Sequence, residues 1–269
     1  MGITNADSRF CTRKINLALY TAWIILSGDM IMKNEMKFTP IDLQTWPRGQ
    51  IFYYFSKMTP TGYSLTVDLD ITKMRTALQA AKLKFFPAYL WLVTKTLNLQ
   101  QEFKIAEKDG QIGYYDTLTP LYATFHEDDK TFSLMWTEYD DDFMTFYKSY
   151  LKNKEQYGNN HGILTHPNQT PPPNAYTVSC IPWVSFNHFA VHTYENKPYF
   201  FPSVEAGKFY EKDGRILMPL SITCHHAATD GYHVTITLSC ILCFLKVMGI
   251  TVLFCCSNIS ILSFAVSNF

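Results

Sequence analysis

Alternating apolar and polar positions predict a strand in the first third of the chain. Between residues 64 and 71 every second side chain is apolar, at Leu65, Val67, Leu69 and Ile71. A period of two residues places these side chains on an inner face and the polar residues between them on a solvent-exposed face. A helix is predicted to follow directly, from Thr72 through Ala81.

Two longer stretches have the length and period of helices. Residues 86–99 are almost wholly apolar, and Pro87 stands in the first turn, where its missing N–H costs no hydrogen bond. This stretch predicts a buried helix. The stretch from Asp141 to Tyr157 predicts an amphipathic helix, because one face would carry Phe143, Phe146, Tyr147, Tyr150 and Leu151.

Short polar segments separate the extended apolar stretches in the rest of the chain. Lys108-Asp109-Gly110, Lys212-Asp213-Gly214 and the segment from His126 to Lys130 are predicted to be hairpin turns. Residues 158–174 form the longest predicted loop. No internal repeat or low-complexity linker interrupts residues 36–233, so the pattern predicts one α/β domain of about 200 residues with a partly antiparallel sheet.

The two ends of the chain differ in composition from the middle. In residues 1–35 three basic residues precede the apolar run 15–26, as in a signal peptide, but no cleavage site follows. We therefore interpret Met36 as the natural start and residues 1–35 as an extension outside the fold. From Val234 to Phe269 only Lys246 is charged, which is typical of a bilayer-spanning segment or of an altered reading frame. We favour the second, and so predict a domain at 36–234 and an atypical, poorly soluble tail at 235–269.

Overall charge and cysteine content exclude several classes of protein. The chain has 23 Lys and Arg against 23 Asp and Glu, which argues against binding to a phosphate backbone. A hydrophobic content of 47% argues against disorder. Seven cysteines without metal-type pairing favour reduced thiols in the cytoplasm over a disulfide scaffold.

The most distinctive chemistry is the string His225-His226-Ala227-Ala228-Thr229-Asp230-Gly231-Tyr232-His233, which follows a predicted strand from Arg215 to Cys224. An imidazole at the end of a strand is placed for binding or for general-base catalysis near neutral pH. A structural histidine pair and a metal site of His225, His226, Asp230 and His233 are the alternatives. The metal site is disfavoured, because adjacent strand residues point to opposite faces.

The His-His-x-x-x-Asp-Gly spacing resembles the signature of the chloramphenicol acetyltransferase family. Further stretches resemble that family's landmarks in the same order across residues 36–234: Trp46-Pro47-Arg48, Lys84-Phe85-Phe86-Pro87-Ala88, Gly113-Tyr114-Tyr115-Asp116, Thr131-Phe132-Ser133, Ser179-Cys180-Ile181-Pro182-Trp183, Gly207-Lys208-Phe209 and Leu217-Met218-Pro219-Leu220-Ser221. The resemblance implies the two-layer α/β fold of CoA-dependent acyltransferases, with a mixed, largely antiparallel sheet and packed helices.

The resemblance also implies a mechanism and the residues that carry it out. Acetyl would pass from acetyl-CoA to a hydroxyl of chloramphenicol or a similar small acceptor in a ternary complex, with His226 as general base. Ser179 would stabilise the oxyanion, and Asp230 would pair with Arg48 and hold the turn that aims His226. No metal is implied. A serine hydrolase is disfavoured because Ser179 lacks a Gly-x-Ser-x-Gly elbow, and Cys180 and Cys224 are expected to be packing residues.

Binding residues and assembly follow from the same resemblance. Lys84, Lys208, Trp183 and Phe209 would bind CoA, and the family's homotrimer would place His226 against an acceptor pocket built largely by the neighbouring subunit. Phe55, Tyr63 and Glu205 would contribute to the acceptor pocket. Phe55 replaces a family tyrosine and Glu205 a family threonine, which puts the identity of the acceptor in question. A non-catalytic ligand-binding relative and a membrane-associated, non-functional product therefore stay open as alternatives.

Overall fold

The computed structural model describes residues 36–192 and 199–251, with side chains described as far as Lys246. The predicted N-terminal extension and residues 252–269 of the predicted tail lie outside the described residues.

The strands of the described segments form two sheets. The larger has the order β2-β10-β8-β7-β5-β6, with β9 beside β10, and the smaller has the order β1-β4-β3. Only the pairs β5–β7 and β7–β8 of the described strands are parallel, so the predicted mixed, largely antiparallel sheet is confirmed. The strands are β1 Phe38–Pro40, β2 Gly62–Asp70, β3 Ile105–Lys108, β4 Gln111–Tyr115, β5 Thr119–Phe125, β6 Phe132–Trp136, β7 Ala175–Ile181, β8 Ser203–Gly207, β9 Tyr210–Lys212 and β10 Arg215–His225.

Helices of the described segments pack against β2, β5 and β10 of the larger sheet and against one another. They are α1 Gly49–Tyr53, which continues as a π-helical turn through Met58, α2 Thr72–Ala80, α3 Phe85–Asn98, α4 Phe143–Tyr157 and α5 Gly231–Thr251. Helix α3 is the most buried, and it packs against α4, α5 and β5. The predicted helices at 72–81, 86–99 and 141–157 are therefore present within one or two residues of their predicted ends. Asp142 caps α4 by accepting a hydrogen bond from the N–H of Thr145 at 2.8 Å.

The predicted Asp-Gly turns form hairpins because both central residues adopt positive φ. Asp109 and Gly110 have φ of 52° and 78°, and Asp213 and Gly214 have φ of 52° and 70°. Such a turn twists in the same sense as the strands that it joins. The segment from His126 to Lys130 likewise joins β5 to β6 as predicted.

One predicted inward position of β2 is wrong. Leu65 is 39% exposed, whereas Leu69 and Ile71 on the same face are buried. Strand β2 lies at the edge of the sheet, so its side chains have neighbouring strand residues on one side only. The alternating pattern therefore located the strand but overstated the burial of its first half.

Helix α5 begins inside the predicted domain and continues into the tail, where it buries a single stripe. Val234, Leu238, Ile241 and Leu245 are buried in the main core, at helical spacing. Other apolar residues of this helix, including Leu242 and Phe244, are partly exposed. In the described part of the chain, no helix combines the length and apolarity needed to cross a membrane.

We expect the helix α5 stripe to contribute to the stability of the domain. Replacing buried Ile241 with Ala should lower the free energy of unfolding by about 2–5 kcal/mol, because it removes core contacts and leaves a cavity. The same substitution at Ile236, which is only partly buried, is the matched control and should cost about 1 kcal/mol or less. Denaturant unfolding measures both, and equally small effects would indicate that residues 235–246 do not pack against the domain.

Candidate active site

The end of strand β10 fixes the backbone of the His225-His226 pair. His225 is the last residue of β10 and pairs with Gly62 of β2. The N–H of His226 then donates to the carbonyl of Thr61 at 2.8 Å. A short turn follows, and helix α5 starts at Gly231. His226 is thus held between the last strand and the last described helix.

The His226 ring is oriented by one hydrogen bond and two aromatic neighbours. Its Nδ1 lies 3.0 Å from the carbonyl oxygen of Thr229. A carbonyl oxygen only accepts, so Nδ1 carries a proton, and in the neutral imidazole the lone pair is on Nε2. The rings of Phe55 and Tyr63 lie 4.1 and 5.3 Å from the imidazole, centre to centre. Two of the predicted acceptor-pocket residues are therefore brought to His226 within one chain.

His225 has a different environment, which resembles that of a structural residue. Its Nδ1 accepts the N–H of Ala227 at 3.1 Å, and its ring packs against Phe200 at 4.9 Å. Burial, with a smaller effect of His226, lowers the pKa of His225. The imidazole is therefore held neutral, with one nitrogen already in use.

Asp230 lies at the centre of a charged network beneath the turn. Its Oδ2 accepts from Arg48 at 2.6 Å, and its Oδ1 accepts from the N–H of Tyr232 at 3.0 Å and lies 2.9 Å from Nδ1 of His233. Burial acts to raise the pKa of Asp230, but the hydrogen bond from Arg48 and the nearby His233 outweigh it and lower that pKa. The structure thus brings Asp230 and Arg48 together, as the resemblance implied.

Sequence reasoning missed the remaining members of this network. Nε2 of His233 lies 3.7 Å from Glu102, and no local pattern relates these two residues. His233 appeared in the sequence only as a candidate metal ligand. Within the described segments, the ligand atoms of His225, His226, Asp230 and His233 do not converge as a metal-binding group.

Ser179 and Glu205 occupy neighbouring positions in the middle of the sheet. Ser179 of β7 is paired with Glu205 of β8, which is paired in turn with Ser221 of β10. Glu205 is 1% exposed. One of its carboxyl oxygens accepts from the hydroxyl of Ser203, and the other has no hydrogen-bond partner among the described residues. Burial raises the pKa of Glu205 to about 7, against the smaller lowering effect of Ser203.

Within one chain, His226 and Ser179 are far apart. Ser179 is aligned with Ser221 two strands away, and strands are about 4.8 Å apart. His226 lies five residues beyond Ser221, at about 3.3 Å per residue along the strand direction. The backbones at these two positions are therefore roughly 19 Å apart, which is too far for the two side chains to act on the same atom.

Contacts of neighbouring residues link the chain segments that carry the four predicted CoA-binding residues. The ring of Phe85 contacts that of Phe209 at 4.8 Å, so the segments that carry Lys84 and Lys208 lie side by side. The N–H of Lys208 donates to the carbonyl of Val184 at 2.9 Å, next to Trp183. Trp183 is 63% exposed, as a ring available to a ligand would be.

Two further cations lie at this cluster, and sequence reasoning missed both. The proximity of Lys84 contributes, after burial, to the lowered pKa of Lys154. Arg75 lies 6.0 Å from the centre of the Phe209 ring. The helical spacing does contain a clue to Lys154. This residue lies seven positions after Tyr147, on the same face of the helix. The Tyr147 hydroxyl accepts the N–H of Lys84 at 2.9 Å.

Neither strand cysteine is activated. Burial raises the pKa of Cys180 to about 11 and that of Cys224 to about 12. Thiols with raised pKa values are poor nucleophiles near neutral pH.

A cavity of about 380 Å³ lies elsewhere, between Pro171–Pro173 and the aromatic residues 199–201, and none of the predicted site residues lines it.

Comparison with known proteins establishes the relationship of the chain. The family model described as chloramphenicol acetyltransferase matches residues 36–241. The chain belongs to this family. The chloramphenicol acetyltransferase of Vibrio anguillarum is 40% identical over 199 residues, which cover 74% of this chain and 89% of the relative. The Staphylococcus aureus chloramphenicol acetyltransferase is also 40% identical over 199 residues, and 91% of it is covered.

A solved structure supports the same fold. A chloramphenicol acetyltransferase superimposes with a TM-score of 0.68 at 24% identity, covering 78% of this chain and all of the other. The resemblance read from the sequence is therefore confirmed, as are the acyltransferase fold and the assignment to an acetyl-CoA-dependent O-acetyltransferase family.

We expect the Arg48–Asp230 pair to stabilise the turn at neutral pH. Changing Asp230 to Asn removes the partner of a guanidinium that is only 13% exposed. Because Asp230 itself is 33% exposed, the loss should be about 1–3 kcal/mol, less than for a fully buried pair. Because the pKa of Asp230 is lowered in the folded protein, the pair contributes its full stability above the ordinary Asp pKa. That stability is lost as the pH falls through the lowered pKa.

Thermal unfolding against pH measures this effect. The difference in Tm between the wild type and Asp230→Asn should be largest near neutral pH and should close in acid. Asp141→Asn is the control, because it removes a pair to Lys95 in which Asp141 is 80% exposed, and it should change Tm little. A difference that stays constant down to acidic pH would contradict the expected role.

Proposed function

We propose that this chain transfers acetyl from acetyl-CoA to a hydroxyl group of chloramphenicol or of a similar small acceptor. The observation that carries the proposal is the His226 ring. Its Nδ1 proton is committed to the Thr229 carbonyl, and its Nε2 lone pair is left for a substrate. This is the tautomer that a general base needs.

The reaction proceeds by direct attack, without an acyl-enzyme. Nε2 of His226 takes the proton of the acceptor hydroxyl as that oxygen bonds to the thioester carbonyl carbon. The hydroxyl of Ser179 donates to the oxyanion that forms. The intermediate then releases the CoA sulfur, which recovers the proton from His226. Neither strand cysteine takes part, because each thiol stays protonated near neutral pH.

The cationic cluster at the end of the sheet provides the CoA site. CoA carries phosphate groups, and Lys84, Lys208, Arg75 and Lys154 supply positive charge around a paired aromatic surface. Strands β7 and β8 run parallel, and this cluster follows Ser179 on one strand and Glu205 on the other. A CoA bound there therefore extends its thioester toward Ser179.

The reacting groups come from two copies of the chain. The separation of His226 from Ser179 within one chain supports a site shared between subunits, because cyclic symmetry brings such separate patches together at each interface. We propose the homotrimer that the family resemblance implied, with His226, Phe55 and Tyr63 from one subunit facing Ser179 and Glu205 of the next. The same resemblance supports the cytoplasm as the site of action.

Chloramphenicol is the first acceptor to test, because the curated relatives that match along most of their length carry its name. Glu205 replaces a family threonine, and this replacement put the identity of the acceptor in question. The neutral form of Glu205 removes that objection. A buried carboxyl with a pKa of about 7 is about half protonated at neutral pH and more fully protonated below it, and the protonated form adds little negative charge beside the oxyanion.

A thiol reagent that detects CoA release tests the activity on chloramphenicol and a panel of hydroxylated acceptors. His226→Ala should lower kcat by about 10²–10⁴-fold, whereas His225→Ala should act mainly through stability.

Ser179→Ala should cost roughly 2.7–4 kcal/mol in transition-state stabilisation, with little change in the KM for acetyl-CoA. Binding of acetyl-CoA without release of CoA for any acceptor would instead identify a non-catalytic relative.

Mixing the two inactive subunits tests whether the site is shared. His226→Ala and Ser179→Ala chains, co-expressed in equal amounts, should form trimers in which about a quarter of the interfaces pair an intact His226 with an intact Ser179. Activity should therefore return to about a quarter of the wild-type rate. Mixed trimers no more active than the better parent would show that the two residues do not meet across an interface.

A pH profile tests the protonation of Glu205. As the pH rises through about 7, ionisation of Glu205 should oppose the developing oxyanion, so kcat should fall on the alkaline side. Glu205→Gln is neutral at every pH and should lose this alkaline decline. The wild type should also lose stability relative to Glu205→Gln as the pH rises from the ordinary Glu pKa to about 7. In that range Glu205 ionises in the unfolded chain but stays protonated in the folded one. Superimposable profiles for the two proteins would refute the role of Glu205.

A further inference from the structure

A second group of histidines and carboxylates lies at the turn between β5 and β6. Ligand atoms from His126, Asp128 and His161 all lie within 4.8 Å of one another. His126 and Asp128 belong to the turn itself, and His161 comes from the loop after α4. The two imidazole rings stack with centres 4.1 Å apart. None of these residues was assigned a role in acetyl transfer.

The two ring nitrogens of His161 each face a carboxylate. Nδ1 of His161 lies 2.9 Å from Oδ2 of Asp129, so this nitrogen donates its proton to the carboxylate. Nε2 then lies 3.3 Å from Oδ2 of Asp128. A carboxylate that holds the far nitrogen of a histidine is the usual outer partner of a metal-bound imidazole.

The separation of these two atoms fits a shared metal ion. Zinc binds imidazole nitrogen and carboxylate oxygen at about 2.0–2.1 Å in tetrahedral geometry. Two such ligands are about 3.3 Å apart. The atoms of His161 and Asp128 already have this spacing, which is longer than that of a good charge-assisted hydrogen bond.

His126 is also oriented by its neighbours. Its Nε2 lies 2.8 Å from the hydroxyl oxygen of Ser133, and that hydroxyl donates its own proton to the carbonyl of Asn160. Nε2 of His126 must therefore be the donor to Ser133, which leaves the lone pair on Nδ1. His126 is buried, so this orientation is fixed by packing. In its neutral form each histidine thus has one nitrogen that can bind a metal, and the exposed His161 ring must turn out of the stack for both nitrogens to reach one ion.

Asp129 is held as an anion in the outer position. Its Oδ1 accepts from the hydroxyl and the N–H of Thr131 at 2.7 and 2.9 Å. These two bonds hold the carboxylate so that its other oxygen, Oδ2, faces Nδ1 of His161. The neighbouring Glu127 is directed elsewhere, because it pairs with Lys130 at 2.9 Å.

We propose that His126, His161 and Asp128 bind a divalent transition-metal ion, with zinc as the best match, and that Asp129 orients His161 behind it. Two imidazoles favour zinc over calcium or magnesium, which prefer oxygen ligands. The fourth position faces solvent, since Asp128 and His161 are exposed. The ion would tie the β5–β6 turn to the long loop that is already joined to β6 by hydrogen bonds from Leu134 to Ile163 and from Thr165 to Leu134.

Calorimetric titration of the purified full chain with ZnCl₂, after treatment with a chelator, tests the site. We expect saturable binding of one ion per chain and a Tm that rises with zinc concentration. Tetrahedral Co²⁺ in the same site should show intense visible absorption. His161→Gln and Asp128→Asn should abolish these signals, and Asp129→Asn should weaken zinc binding by about 10–100-fold.

Glu127→Gln is the matched control, because it removes the same charge from the same turn and should leave zinc affinity unchanged. His188→Gln tests an exposed histidine outside the cluster and should also have no effect. Absence of saturable zinc binding in the wild type would overturn the proposal. Binding that persists unchanged in both His161→Gln and Asp128→Asn would overturn it as well, since the ion would then be held elsewhere.

Discussion

The position of His226 depends on the backbone hydrogen bonds that hold β10 on both edges. This strand pairs with β2 along nine residues on one side, and with β8 and β9 on the other. A strand bonded on both sides cannot shift by one residue without reversing the face of every side chain. The turn that follows therefore starts from a fixed point, and the Thr229 carbonyl and the Arg48–Asp230 pair then set its geometry.

A partly exposed and a buried carboxyl group in this protein have pKa values that are shifted in opposite directions. Asp230 meets a guanidinium and an imidazole, and its pKa is lowered. Glu205 meets only the hydroxyl of Ser203, so burial dominates and its pKa is raised. The first group is thus an anion at neutral pH that stabilises a turn, whereas the second titrates near neutral pH. Residue type alone does not separate these behaviours, because the difference lies in the partners that each carboxyl finds.

Local patterns in the sequence predicted the elements whose causes are local. The Asp-Gly turns at 109–110 and 213–214 need positive φ, and helix α3 needs only an apolar stretch with proline in its first turn. Family resemblance supplied the pairing of Arg48 with Asp230, which are 182 residues apart and share no local pattern.

Properties that depend on neighbours were not predictable in this way. The exposure of Leu65 follows from the edge position of β2, and the raised pKa of Glu205 follows from its burial between β7 and β10. The contact of His126 with His161 joins a turn to a distant loop. Helical spacing places Lys154 on the same face as Tyr147, but it does not show what that face contacts. The hydrogen bond from the N–H of Lys84 to the Tyr147 hydroxyl shows this.

The long separation of His226 from Ser179 along the sheet has a consequence for how activity depends on protein concentration. When a reacting pair is divided between subunits, a dissociated subunit can be fully folded and still have no turnover. Specific activity would then decline on dilution, with an apparent midpoint set by subunit affinity. Substitutions at the surface between subunits would then lower activity as active-site substitutions do, although they touch neither substrate.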